Sequence, residues 1–302
     1  MRVKILGSAA GGGFPQWNCG CSNCSGLRSG TLKGLARTQA QVAVSASEST
    51  WVLLNASPDL RQQLLQYPEF APAKATRDTP IIAIILTSAD VDCVLGLLHL
   101  REFQALRIFA TPSVLRILTE ENSLFRALER SVPPVEWIPL PMNEPIPIDV
   151  NLCCRALPLG GHFPDYVTPN LRKTLPKKDA VVALELCQGD KRVLYAPSLP
   201  ELTQGWKDSI AHADLALLDG TFWTDCELAH VTGNRKTARE IGHLPLSGEN
   251  GLIEQLRGTK GAQRVLIHMN NTNPVLNEES AASQTLRDAG WSVAYDGMEF
   301  EL

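Results

Sequence analysis

The chain has 302 residues, of which 44% are hydrophobic and 20% charged, so it is able to bury a large core. The formal net charge is −4, with acidic and basic residues mixed along the chain, which argues against a nucleic-acid or anionic-membrane partner. The longest apolar runs, such as Ile81–Leu86, are too short to span a bilayer, and the N-terminal residues lack the apolar stretch of a secretory signal. We therefore expect a cytoplasmic protein.

Runs rich in apolar and β-branched residues predict the strands. In chain order these are Val3–Gly7, Gln41–Ser47, Thr50–Ala56, Pro80–Leu86, Leu106–Ala110, Asn151–Leu157, Ala180–Gln188, Arg192–Ala196, Asp214–Gly220 and Arg264–Asn270, with a closing strand pair in Ser292–Leu302.

Helical patterns lie between most of these strands. The predicted helices are Ser57–Gln66 with Ser57 as N-cap, Leu95 to about Phe103, Thr111–Leu128, Arg235–His243, Ser247–Arg257 and Glu278–Gly290. Two proline-bearing stretches break the alternation: Ser131–Pro147 is predicted to be extended, and Gly160–Lys178 to be an exposed loop.

Strands alternate with helices in both halves, and the middle of the chain is dense in strands. This order predicts an α/β fold in four layers, with two packed sheets and helices outside (αββα). The chain has no low-complexity linker, so we expect a single domain spanning residues 1–302.

The cysteines are unevenly distributed, because Cys19, Cys21 and Cys24 fall within six residues of a glycine-rich loop, about residues 15–27. Three thiolates at this spacing can bind one tetrahedral Zn²⁺ whose fourth ligand comes from a distant segment. The alternative is three unligated thiols, which would be liable to oxidation.

The stretch TSADVDCVLG, from Thr87 to Gly96, follows a buried strand and leads into a predicted helix. Asp90 is a candidate oxygen ligand, and Asp92 and Cys93 are candidates for a metal site. The alternative is an ordinary strand-to-helix turn with an N-capping aspartate and a buried cysteine.

Asp219 and His268 each end an apolar strand, which is where α/β folds place functional groups. An Asp-Gly turn is the alternative for Asp219. The loop after His268 contains Asn270, Asn271 and Asn273, and such a polar loop favours a binding role.

His243, in the segment GHLPLSG, is a candidate ligand or substrate-binding group. The alternative is a histidine that interacts with the dipole at a helix C-terminus.

Taken together, GSAAGGGFPQWNCGCSNC, LLNASPDLRQQL, GHLPLSG, IHMNNTNP and VAYDGMEFEL resemble the pyrroloquinoline quinone biosynthesis protein B family. The resemblance runs from Gly7 to the last residue and implies the metallo-β-lactamase fold. That superfamily has a His-x-His-x-Asp-His loop where this chain has Ser88, Asp90, Asp92 and Cys93. The resemblance therefore implies loss of the two-metal arrangement that generates hydroxide for hydrolysis.

The resemblance also implies ligand sets. Related phosphodiesterases with the same cysteine loop hold a structural zinc, so Cys19, Cys21 and Cys24 become its ligands, with Asn271 as the fourth. His268 is the other candidate for the fourth position, but it matches the superfamily's active-site histidine. Asp92, Asp219 and His268 become the fixed ligands and catalytic residues of an active-site metal, with Cys93 standing where the family commonly has histidine. His243, Asn270 and Asn273 are assigned to contacts with the bound small molecule.

The function implied is iron-dependent hydroxylation of the tyrosine ring in a precursor derived from Glu-Tyr, during biosynthesis of pyrroloquinoline quinone (PQQ). The expected metals are a structural Zn²⁺ and an active-site Fe²⁺, with Zn²⁺ as the alternative at the second site. The expected partners are the dipeptide-like precursor and other proteins of the same pathway. A non-catalytic carrier or transport-related binding protein for PQQ or its precursor is the alternative function.

Overall fold

The computed structural model describes residues 1–73, 75–102, 105–130, 132–233 and 235–302. The strands in these ranges are β1 Arg2–Gly7, β2 Gln41–Ser45, β3 Trp51–Leu54, β4 Ile81–Ile85, β5 Arg107–Ala110, β6 Glu136–Pro139, β7 Pro145–Asp149, β8 Leu152–Gly160, β9 Val181–Gln188, β10 Lys191–Ala196, β11 Leu215–Asp219, β12 Gln263–Ile267, β13 Ser292–Val293 and β14 Glu299–Glu301.

The α-helices there are α1 Ser22–Ser29, α2 Leu60–Gln66, α3 Val91–Val94, α4 Pro112–Thr119, α5 Pro169–Thr174, α6 Gln204–Ala211, α7 Glu227–Thr232, α8 Leu252–Gln255 and α9 Ala281–Asp288. Short 3-10 helices cover Pro68–Phe70, Leu95–Leu100, Ser123–Arg130, Lys177–Asp179, Arg239–Ile241 and Pro274–Leu276. Within the described ranges, no helix combines the length and the apolarity needed to cross a membrane.

These elements belong to two compact units, which we describe separately. The first unit comprises Met1–Leu6, Gln41–Lys191 and Gly297–Leu302, and the second comprises Gly7–Ala40 and Arg192–Asp296. The assignment of the whole chain to one domain stays a prediction.

In the first unit, one sheet has the strand order β14-β1-β2-β3-β4-β5-β6. Strands β3 to β6 run parallel, and their apolar runs supply a core that includes the fully buried side chains of Leu53, Ile84 and Ile108. Near-continuous apolar sequence is typical of parallel strands that are covered on both faces. Strands β7, β8 and β9 of this unit form an antiparallel set.

In the second unit, β10, β11, β12 and β13 run parallel in that order. In β11 all five residues are buried, and Asp219 at its end pairs in register with Ile267 of β12. This register places Asp219 and the residue after Ile267 at the same edge of the sheet.

Two predicted loops contain helical structure. The cysteine-rich loop continues into α1, which Cys21 caps by accepting a hydrogen bond from the Cys24 N–H. The segment 160–178 contains α5 and buries Phe163 and Val167, so the prediction of an exposed loop was wrong there. The apolar residues of this segment are widely spaced among polar residues and prolines, so the sequence pattern did not indicate their burial.

Several predicted helices are shorter in the structure. Arg235–His243 contains only the 3-10 helix Arg239–Ile241, and Ser247–Arg257 contains only α8. The helix expected to reach Phe103 has its last described turn in Leu95–Leu100, and Phe103 lies outside the described residues.

Two further local predictions were wrong. Ser57 is not the N-cap of α2; Asp59 occupies that position, while the Ser57 hydroxyl donates a hydrogen bond to Gln63. The two closing strands also do not pair with each other, since β13 pairs with β12 and β14 pairs with β1.

Candidate metal centre

In the second unit, the candidate site is built around the carboxylate of Asp219, which is fully buried at the end of β11. His268 follows β12 directly. Asp219 and His268, which were both predicted at the ends of strands, therefore lie at the same edge of the sheet. His243, from the turn after Arg239–Ile241, joins them. Ligand atoms of Asp219, His243 and His268 all lie within 4.8 Å of one another.

Four hydrogen bonds hold the Asp219 carboxylate. Its Oδ1 accepts from the N–H of Thr221 at 3.0 Å and from the Thr221 hydroxyl at 2.6 Å. Its Oδ2 accepts from the N–H of Leu199 at 2.9 Å and lies 2.8 Å from Nδ1 of His243. Burial alone would raise the pKa of Asp219, but the charge and hydrogen bond of His243 outweigh it, so the pKa lies below its usual range.

These contacts select one tautomer at each histidine. The Thr221 hydroxyl has one proton; when it donates that proton to Asp219, its oxygen accepts from Nδ1–H of His268, 2.9 Å away. His243 likewise donates Nδ1–H to Asp219. With Nδ1 as the hydrogen-bonded nitrogen, Nε2 is the atom through which each ring would bind a metal.

The two imidazole rings are also fixed by packing. The rings of His243 and His268 stack with centroids 5.6 Å apart and planes inclined by 19°, and Phe222 packs edge-on against His243 at 5.8 Å. His268 has a φ of 60°, in the left-handed region that few residues other than glycine adopt. Backbone strain of this kind is concentrated at functional sites.

A second cluster in the same unit contains only sulfur donors. Sγ atoms of Cys19, Cys21 and Cys24 lie within 4.8 Å of one another, as the zinc prediction requires. The Asn271 amide faces all three, with Nδ2 at 3.1, 3.7 and 3.3 Å from the respective sulfurs. Half a turn of that amide would present Oδ1 to the sulfurs in place of Nδ2.

One loop connects these two clusters. Asn273, which is fully buried, donates from Nδ2 to the carbonyl of Gly220, next to Asp219. Asn23, in the cysteine helix α1, donates to the carbonyls of Asn271 and Asn273 at 3.1 and 2.8 Å. The geometry of the sulfur cluster is therefore coupled to the strand end that bears Asp219.

The amides predicted to contact a bound small molecule already have partners within the chain. Asn270 Nδ2 donates to the Thr272 hydroxyl at 2.5 Å, and its N–H donates to the carbonyl of Thr221 at 3.2 Å. Asn273 stabilises the loop as described above. A role for Asn270 and Asn273 in binding the small molecule stays a prediction.

The stretch Thr87–Gly96 lies in the first unit. The Ser88 hydroxyl donates to Oδ2 of Asp90 at 2.7 Å, and the N–H of Asp90 donates back to Ser88 Oγ at 3.2 Å. Asp90 occupies the N-cap position of α3, but its side chain makes no capping hydrogen bond. The structure thus gives this carboxylate a local partner in Ser88.

Cys93 and Asp92 lie on the first turn of α3. Cys93 Sγ is 3.8 Å from the hydroxyl of Thr87, and burial, with the charges of Asp92 and Asp90, raises the pKa of its thiol well above the usual value. That shift keeps the thiol protonated unless a cation is bound. The assignment of Asp92 and Cys93 to the metal of Asp219 and His268 stays a prediction.

Sequence reasoning missed two features of the Asp219 cluster. Thr221 was not considered, although a hydroxyl two residues after a buried aspartate is able to bond back to it. His243 was predicted as a ligand or substrate-binding group, and its hydrogen bond from Nδ1 to Asp219 was not foreseen. Its position 24 residues beyond Asp219 gave no sign of this contact.

Comparisons with known proteins agree with this architecture. The model of the β-lactamase superfamily domain matches residues 50–269. Coenzyme PQQ synthesis protein B from Azoarcus sp. (strain BH72) is 44% identical, and the protein of the same name from Methylobacillus flagellatus is 42% identical, with 100% of each chain covered in both cases.

Solved structures give the same result. The crystal structure of Zn²⁺-bound PqqB from Methylobacterium extorquens superposes with a TM-score of 0.93 at 38% identity, covering 100% of both chains. A diphosphatase from the PhnP family has a TM-score of 0.66 at 18% identity over 100% of this chain and 98% of its own, a likeness of fold alone. The predicted metallo-β-lactamase fold, with two mixed sheets flanked by helices, is confirmed.

Proposed function

Since the chain belongs to the coenzyme PQQ synthesis protein B family, within the β-lactamase superfamily, we propose that it acts in the biosynthesis of PQQ. The reaction we propose is iron-dependent hydroxylation of the tyrosine ring in a precursor derived from Glu-Tyr. The observation that supports a metal-dependent reaction is the buried Asp219 carboxylate, whose ligand atom lies within 4.8 Å of those of His243 and His268 and which orients His243 directly and His268 through Thr221.

The donor atoms suit the proposed metal. Imidazole nitrogen and carboxylate oxygen are ligands of non-haem Fe²⁺, and Zn²⁺ accepts the same set. In the proposal, His268 and Asp219 hold this metal together with Asp92, while Cys93 and Asp90 are further candidate ligands. When bound, iron would supply the activation of dioxygen that the side chains themselves lack.

The protein's own groups have a positioning role in this proposal. Asp219 and Thr221 hold the two rings through their Nδ1 atoms, so that Nε2 is the nitrogen of each ring that would ligate the metal. Because four hydrogen bonds already surround the Asp219 carboxylate, its role as orienting group has direct support from the contacts. Its role as a ligand is the part of the proposal that metal binding must test.

The sulfur cluster is proposed to hold a structural Zn²⁺. Three thiolates and one further ligand make the closed tetrahedral set of structural zinc sites, and Asn271 is the proposed fourth ligand. Because Asn273 and Asn23 connect this cluster to the strand end at Asp219, zinc there would stabilise the second site without taking part in the reaction.

Anaerobic reconstitution tests the proposed reaction. The protein is loaded with Fe²⁺, its iron content is measured, and a Glu-Tyr dipeptide and oxygen are then added before mass spectrometry. We expect a product heavier by oxygen, and its loss in His268→Ala but not in His212→Ala, an exposed histidine of the same unit. Fully iron-loaded protein that leaves the dipeptide unoxygenated would contradict the hydroxylase proposal.

A non-catalytic carrier of PQQ or its precursor is the second candidate. It is favoured by the loop Thr87–Gly96, where Ser88 and Asp90 bond to each other and Cys93 stands in place of the family's usual histidine. A carrier would bind the quinone tightly without turnover, and an Asp92→Ala, His268→Ala double variant would bind it equally well. Weaker binding in the double variant would reject the carrier.

Metal counts for the wild type and Cys93→His separate the two proposals further. A hydroxylase site predicts two metals per chain, one in each cluster. One zinc in both proteins would mean that only the cysteine cluster binds metal.

A further inference from the structure

Two cysteines outside both clusters lie directly opposite each other on neighbouring strands of the first unit. Cys153 of β8 pairs in register with Cys187 of β9; Cys153 is exposed and Cys187 half-buried. We propose that this pair is a redox-sensitive dithiol, which closes to a cross-strand disulfide when the protein encounters hydrogen peroxide.

The hydrogen bonds of β9 show which of its residues bond to β8. The N–H of Val182 donates to the carbonyl of Thr87 at 2.9 Å, so the backbone groups of Val182 point away from β8. Backbone groups alternate in direction along a strand, and Cys187 is five residues further on. The backbone groups of Cys187 therefore point towards β8.

The same reasoning applies to β8. The carbonyl of Ala156 accepts from the N–H of Asn143 at 2.8 Å, so the backbone groups of Ala156 point away from β9. Cys153, three residues earlier, points towards β9. Cys153 and Cys187 thus form a hydrogen-bonded antiparallel pair, whose Cα atoms are about 5.5 Å apart. Disulfides span Cα separations of roughly 4.4–6.8 Å, so the spacing of the pair lies within that range, and a small approach of the two Cβ atoms would let the bond close.

The neighbouring thiol is excluded by the pleat of the strand. Cys154 is fully buried, and its side chain leaves the opposite face of β8, where it pairs in register with Leu186. Cys153 and Cys187 share the other face with the ion pair between Arg155 and Glu185, whose N···O distance is 2.7 Å. This face therefore presents the exposed Cys153 to a soluble oxidant with the half-buried Cys187 opposite it, while Cys154 is withheld.

The oxidation balances with one peroxide molecule. The exposed Cys153 thiol attacks hydrogen peroxide, which breaks the O–O bond and leaves a sulfenic acid and one water. The Cys187 sulfur then displaces the sulfenic hydroxyl as a second water and forms the S–S bond. Two thiols are oxidised to one disulfide, and one peroxide is reduced to two waters. An exposed disulfide of this kind is readily reduced by an added dithiol.

Peptide mapping tests this proposal on the zinc-loaded, fully reduced protein. After treatment with a small excess of hydrogen peroxide, free thiols are blocked with N-ethylmaleimide and the protein is digested with trypsin without reduction. Cys153 and Cys154 fall in peptide 131–155 and Cys187 in peptide 179–191. We expect these peptides to be joined, with the loss of two hydrogen atoms, and to separate again after dithiothreitol.

Matched serine variants assign the linkage. Cys153→Ser and Cys187→Ser should each lose the joined peptides completely, whereas Cys154→Ser should keep them. Thermal unfolding of the reduced variants checks that each one folds. A Cys153–Cys154 linkage would overturn the proposal. So would separate peptides in which Cys153 and Cys187 both carry N-ethylmaleimide, at a peroxide dose that has oxidised other thiols of the chain.

Discussion

The two donor clusters of the second unit differ in what surrounds their ligand atoms. In the sulfur cluster, three thiols and the Asn271 amide face one another, which leaves no side for a substrate. In the other cluster, Asp219 and Thr221 bind the Nδ1 atoms of the two histidines, so that Nε2 would be the donor atom to a metal. The first arrangement is typical of a metal that holds the fold, and the second of a metal that binds further groups.

The comparison predicts that a change in the sulfur cluster has the largest effect on stability. Cys24→Ser removes a fully buried thiol, so we expect loss of the structural zinc and destabilisation of about 4 kcal/mol or more, since lost metals belong to the most damaging class of substitution. Denaturant unfolding and zinc analysis measure both. The control is Cys226→Ser, an exposed cysteine of the same unit, for which we expect a change within about 0.5 kcal/mol. Equal stability of the two variants would contradict a structural zinc.

A second substitution acts first on the strand end that bears Asp219. In Gly220→Ala, the added Cβ would lie 2.4 Å from Met269 Sδ and 2.9 Å from Leu266 Cβ, closer than real contacts allow. We expect destabilisation of about 1–3 kcal/mol from overpacking, with zinc retained in the cysteine cluster. The control is Gly205→Ala in α6, where the nearest atom is 3.9 Å away and the better helix former should stabilise by about 0.5–1 kcal/mol. Loss of zinc with Gly220→Ala would show that the two clusters are not separable.

The sequence predicted the strands well because their apolar runs are continuous. Ile81–Ile85 and Leu215–Asp219 were located within two residues at each end, and their order at the sheet edge followed from the rule for parallel strands. Segment 160–178 was missed because its apolar residues, such as Phe163 and Val167, are separated by prolines and charges. Such spacing matches neither the helical nor the strand period.

For the site, the residue types were predictable from the sequence, but their hydrogen-bond partners were not. Asp219 and His268 were found because each follows an apolar strand. The contact from Asp219 to His243 crosses 24 residues with no regular period, and Thr221 is an ordinary residue until its hydroxyl is seen between Asp219 and His268. Hydrogen bonds of this kind depend on side-chain positions, which a single sequence does not encode locally.

The closed character of the sulfur cluster can be tested at its fourth position. Asn271→Ala removes the amide that contacts all three sulfurs, and we expect zinc affinity to fall by about 10–100-fold. Asn271→Asp offers an oxygen ligand of similar shape and should retain zinc at least as tightly if an oxygen binds the metal. Competition with a chelator measures both variants. Tighter binding in the alanine variant than in the aspartate variant would instead assign the amide as an N–H donor to the thiolates.

The smallest effect is expected at Thr221, because it acts on a metal only indirectly, through its contacts with His268 and Asp219. Thr221→Val keeps the side-chain shape but removes the hydroxyl that accepts from Nδ1–H of His268, so the ring loses the contact that fixes its tautomer. Asp219 still orients His243 directly, and we therefore expect metal affinity at this cluster to fall by only about tenfold, or about 1.4 kcal/mol. Thr221→Ser restores the hydroxyl and should restore the affinity. Chelator competition measures the metal affinity at this site, with zinc in the cysteine cluster as internal reference. An equal loss of affinity at both clusters would mean that Thr221 stabilises the shared loop and not the histidine.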